Sequence, residues 1–170
     1  VHVFVHIYMS MQTGVLEKTS SYHVSELPAD GIKALCLLVQ QAAAESSPVP
    51  RKALFVVYDV LRMVTVHPMG SKMITSLQLG QVLIHATMRE VMKEGSNDEK
   101  NENSTTTTLT ALRFLNNALK DGGMKQHFVA ALETNACPGF ITQLSSISSM
   151  SSSSKLVRVA IASLIPVSYT

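Results

Sequence analysis

Cys36 and Cys137 are the two cysteines of the chain, and six histidines accompany them. A thiolate beside an imidazole is the simplest nucleophile–base pair that such a set offers. Both cysteines sit at apolar positions with no CxxC or metal-type spacing nearby, which reads as buried, reduced thiols. His2 and His6 fall on one face of the alternating segment VHVFVHIYMS and supply two candidate metal ligands, but a third is not in view. That segment is expected to be a short strand or an extended arm. There is no GxSxG elbow, HExxH, glycine-rich phosphate loop or paired-carboxylate helix. Catalysis, a cofactor and a metal are therefore not expected. His67, ahead of Pro68, is expected to close a helix, favoured there by the C-terminal dipole, and not to act as a ligand.

The remaining chemistry is recognition by charge. Arg62 stands three residues after Asp59, so an intrahelical ion pair competes with a role in binding. Arg113 and Asn117 are four apart and share a helix face. An arginine and an amide on an inner face suit an extended acidic peptide. The guanidinium takes carboxylates bidentately, and the amide both donates to and accepts from a peptide backbone. The alternative for Asn117 is that it ties a neighbouring helix or loop. Arg158 reads as a solvated surface charge.

These residues need a scaffold, and the composition indicates which. The 170 residues are 46% hydrophobic but only 5% aromatic, and the apolar share is mostly aliphatic, which favours packed helices. Fourteen Lys and Arg against 12 Asp and Glu leave a net charge of +2, too little for a nucleic-acid face. No stretch reaches the roughly 18 apolar residues of a membrane span, and the opening lacks the basic start and cleavage site of a signal peptide. The expectation is a soluble intracellular protein of the cytoplasm, with the nucleus as a second location.

Helical spacing predicts a first helix from about Ala29 to Glu45, a second over Arg51–Val66, and a short one near Lys72–Ser76. A longer helix follows from about Leu77 to Glu94. The tract SNDEKNENSTTTT then reads as a loop, with one of Ser104 to Thr106 capping a helix that carries Leu109, Leu112, Leu115, Asn116 and Leu119. Asp121-Gly-Gly123 should stop it. Helices over about Met124–Glu133 and from Pro138 through Ile147 come next, the latter fraying into the serine-rich stretch 145–154. The last helix sets Leu156, Val159, Ala160, Ser163, Leu164 and Val167 on one face.

A similar unit recurs as VYDVLRMV, LTALRFLN and KLVRVAIA, placing Arg62, Arg113 and Arg158 at intervals of about 50 and 45 residues, near the roughly 40–47 of HEAT and armadillo repeats. Helices at this period stack into a solenoid in which each repeat covers its neighbour. The expected fold is all-α: a right-handed armadillo/HEAT-like α-solenoid over 27–170, preceded by an arm at 1–26.

At these residues the sequence resembles the PUL domain, found in phospholipase-A-activating protein and its fungal relatives in ubiquitin handling. Asp59, Leu61, Arg62, His67 and Pro68 resemble its "LD-LLRL…-HP" helix. Ala111, Leu112, Arg113 and Asn117 resemble its "ALR…N" helix, and Ala160, Ala162 and Leu164 its "IALATL" helix. The resemblance implies an adaptor that binds the acidic C-terminal tail of a valosin-containing-protein-type AAA ATPase, with Arg62, Arg113 and Asn117 as peptide ligands. Some relatives instead join the domain to a PPPDE-type thiol peptidase, and a scaffold without peptide binding is the third reading. Three departures from the family pattern stand out. The chain is shorter than family domains, so the C-terminal end of the solenoid is expected to be incomplete. Val167 falls where the family carries asparagine, and Pro166 is expected to bend or end the last helix.

Overall fold

A computed structural model of the chain describes residues 27–44, 49, 51–93, 102–149 and 155–168. Among them every element is a helix: α1 (Ala29–Ala42), α2 (Arg51–Val66), α3 (Gly70–Ser76), α4 (Gly80–Met92), α5 (Glu102–Ala118), α6 (Gly122–Glu133), α7 (Phe140–Ser149) and α8 (Lys155–Ser168). The segment 1–26, with His2 and His6, and most of the polar tract after α4 lie outside the described residues. No single described helix is long and apolar enough to cross a membrane.

The centre of the core is the α2–α5 pair, which pack along each other. In α2, Leu54, Val57, Tyr58, Val60, Leu61 and Val64 are all buried. A helix apolar on this much of its circumference has to be covered on several sides. Besides α5, both α1 and α3 lie against it. From α5 come Ala111, Leu112, Phe114, Leu115 and Ala118, and the Tyr58 and Phe114 rings meet with centroids 6.1 Å apart. The other side of α5 carries α8, while α4 bridges α1, α5 and α6. Phe128 and Phe140 join α6 to α7 edge to face, 6.0 Å apart at 80°.

Between α2 and α3 the chain bends by 104°. The bend is packed tightly enough that a Cβ on Gly70 would overlap the Val64 carbonyl oxygen. Gly70 N–H donates to the His67 carbonyl at 2.9 Å, and Met69 N–H donates to His67 Nδ1 at 3.2 Å. His67 is 6% exposed. It closes α2 as expected, its N–H donating to the Met63 and Val64 carbonyls, and in addition it is buried and holds the turn with its ring.

Other sequence expectations shift for physical reasons. Helix α4 starts at Gly80 and not near Leu77, because Gln78 takes a φ of 58° and breaks the run. Helix α5 starts at Glu102, so Ser104 to Thr106 lie inside the helix where a cap was expected. Its threonines are tolerated because Thr107 and Thr108 are fully buried and Thr110 Oγ1 donates back to the Thr106 carbonyl at 2.7 Å. Asp121 ends α5 as expected, and it also caps α6, accepting from Gly123 N–H at 3.0 Å and Met124 N–H at 3.1 Å.

Two more corrections fall at the C-terminal end. Helix α7 runs through Ser149, and the serines that read as fraying satisfy themselves, Ser145 Oγ donating to Ile141 O at 3.1 Å. Helix α8 buries Val157, Ala160, Ile161 and Leu164, whereas Leu156 and Val159 are each 56% exposed. Both faces are aliphatic, and the seam with α5 decides between them. Pro166 lies within the last turn of α8, which continues to Ser168. One missing donor this close to the end does not stop the helix.

Candidate peptide-binding cleft

Helices α2 and α5 end side by side, and their ends frame a cleft of about 290 Å³. Thr65, Val66, His67 and Pro68 form one wall, Asn117, Lys120 and Asp121 the other, with Ser71 of α3 also lining it. The two predicted arginines stand on the stripes that lead into these walls. Arg62 neighbours Thr65 and Val66 at i+3 and i+4, and Arg113 neighbours Asn117 at i+4. A single helical turn of about 5.4 Å separates each arginine from the cleft lining.

The arginines differ in their commitments. Arg62 Nε and Nη2 donate to Asp59 Oδ1 at 3.0 and 2.8 Å, so the ion pair anticipated as its alternative role is present. Arg113 is exposed and, among the described residues, makes no ion pair or hydrogen bond. Arg158 is exposed on α8, away from the cleft lining. Asn117 does not tie a helix. That task falls to Asn116, whose Nδ2 donates to the Ala160 carbonyl of α8 at 2.9 Å. Asn117 Oδ1 accepts a long 3.5 Å bond from Lys120 Nζ, and its amide Nδ2 has no partner among the described residues.

Three lining residues escaped the sequence reading: Lys120, Ser71 and Thr65. Thr65 Oγ1 donates to the Arg62 carbonyl at 2.9 Å, so toward the cleft it can only accept. Ser71 is 7% exposed, and its hydroxyl has no partner among the described residues. Asp121, the one carboxylate in the lining, is held by the two N–H groups of the α6 start. The lining thus carries one cation, Lys120, and one anion, Asp121, whose Oδ1 is engaged by the α6 start, with the arginine stripes leading in.

The thiols are not built for attack. Cys36 is 1% exposed, and burial pushes its pKa up to about 12. Burial also raises Cys137, with nearby Arg89 pulling the other way, and its Sγ donates to the His85 backbone carbonyl at 3.7 Å. A thiol raised in this way is a poor nucleophile at neutral pH. Neither cysteine lines the cleft. Among the described residues no group of three His, Cys, Asp or Glu side chains is placed to hold a metal ion.

No curated protein and no solved structure matches the chain. The family model of the PUL domain, a family of protein-interaction domains, matches residues 14–166. With nearly its whole length matched, the chain belongs to the PUL domain family.

Proposed function

We propose that this domain is a non-catalytic adaptor, an armadillo-like right-handed solenoid, that binds the acidic C-terminal tail of a valosin-containing-protein-type AAA ATPase in ubiquitin-dependent protein turnover in the cytoplasm. The observation that carries this reading is Arg113, exposed and uncommitted on the same helix face as Asn117, which lines the α2–α5 cleft. An extended acidic segment laid across the ends of α2 and α5 meets the Arg113 guanidinium, then the Asn117 amide, then the Lys120 ammonium. Charge-assisted bonds to carboxylates are the stronger class of hydrogen bond, which makes the arginine the main anchor. Arg62 contributes as the second cation, its charge shared with Asp59.

Calorimetric titration with a synthetic peptide of the ATPase tail tests the reading. Saturable binding that weakens in Arg113→Ala, with unchanged thermal stability, supports it. Absence of heat at high micromolar peptide removes the ATPase tail as the ligand.

A further inference from the structure

The geometry points to the cleft as a pocket for one carboxylate, the C-terminal carboxylate of the bound peptide, held by Lys120, Ser71 and Asn117. This rests on the peptide-binding reading above and goes beyond it by assigning the end of the chain to a place. Three observations carry it. Ser71 lines the cleft with a hydroxyl that has no partner among the described residues and can donate to a carboxylate there. Lys120 brings an ammonium whose one described bond is a long 3.5 Å contact to Asn117 Oδ1, which a carboxylate can outcompete. Asn117 belongs to the same lining, and its amide Nδ2 has no partner among the described residues.

The remaining lining residues fit this ligand and limit it. Asp121 brings a negative charge, but the α6 N–H groups hold it at 3.0 and 3.1 Å. Thr65 already donates to the Arg62 carbonyl, so it offers an anion no proton. His67 accepts Met69 N–H at Nδ1, which fixes the ring as part of the wall. Val66, 49% exposed, and Pro68 give the lining an apolar side for the side chain of the terminal residue. An internal peptide segment presents no carboxylate from its main chain, whereas a chain end presents one alongside an apolar side chain.

The test is calorimetry with three forms of the ATPase tail peptide: the free acid, the C-terminal amide, and the free acid extended by three neutral residues. Wild-type domain is expected to bind the free acid at least fivefold more tightly than the other two. Lys120→Ala and Ser71→Ala should weaken the free acid and bring its affinity close to that of the amide. Lys33→Ala removes the same charge from α1, so it should keep the acid–amide difference and thereby separate local recognition from net charge. Equal wild-type affinity for acid and amide overturns the terminal-carboxylate pocket and leaves the peptide reading standing. Loss of affinity only when acidic side chains are changed to amides, with Lys120 still required, also overturns it by assigning the cleft to a side-chain carboxylate. No binding of any form removes both readings.

Discussion

Asn116 and Asn117 are consecutive residues of one helix, yet they serve two different regions. Asn116 faces the α5–α8 seam and spends its amide on the Ala160 carbonyl. Asn117, about 100° further round the helix, faces the α2–α5 cleft and keeps its N–H groups for something outside the fold. The arginines of the repeated unit divide in the same way. Three residues before Arg62 stands Asp59, before Arg113 stands Thr110, and before Arg158 stands Lys155. Only the first finds a carboxylate on its own helix; Thr110 instead donates back to Thr106. A repeat can thus conserve its apolar packing while the polar residue beside each arginine decides whether its charge is used internally.

The largest effect expected from breaking this arrangement is at the bend that shapes the cleft. Gly70→Ala drives a methyl into the Val64 carbonyl and should cost about 3 kcal/mol or more in urea unfolding, a loss at the upper end for overpacking. The asparagine pair gives the sharper contrast. Asn116→Ala removes the tie to α8, for an expected loss of about 1 kcal/mol of stability, the Ala160 carbonyl keeping its helical bond. Asn117→Ala should leave stability within about 0.5 kcal/mol, as surface changes do, and act on peptide affinity. Equal stability losses in the two variants would erase the distinction between seam and cleft.

Arg113→Ala should weaken peptide binding about tenfold, which is about 1.4 kcal/mol, without a stability change. Arg62→Ala should weaken it less. The Asp59 pair is part-exposed and contributes no more than about 0.5 kcal/mol to folding. A stability loss in Arg62→Ala larger than that would make the ion pair structural.

The smallest expected effect lies outside the cleft. His85 has its pKa lowered from 6.5, first by burial, then by Arg89 and His127. The unfolded chain therefore takes up this proton before the folded one does, so stability falls as pH drops below about 6.5. His85→Gln should flatten that part of the stability–pH curve. An unchanged slope would assign the acid sensitivity elsewhere.

The sequence revealed the helices with hard stops and lost those decided by tertiary contacts. Pro50 and the His67-Pro68 pair bracket α2, and its bounds were legible to the residue. The start of α5 was not, because a run of threonines reads as loop until a partner buries it. Of the expected α8 face Ala160 and Leu164 are buried, but Val157 and Ile161 replace Leu156 and Val159, which are as apolar, and only the contact with α5 selects among them. In the cleft, Asn117 was visible by its spacing from Arg113. Ser71 and Lys120 were not, since they come from elements far apart in sequence that meet only when α2 bends into α3. His67 was legible as the end of α2, but its burial and its ring contact with Met69 N–H were not.

The most direct measurement of the central claim is a peptide titration followed by the side-chain amide resonances of the two asparagines in this 18.4 kDa chain. The Asn117 Nδ2 signals should move progressively with added tail peptide while the Asn116 signals, locked to Ala160, stay in place. Saturable binding with the Asn117 signals unmoved would place the peptide elsewhere and contradict the account.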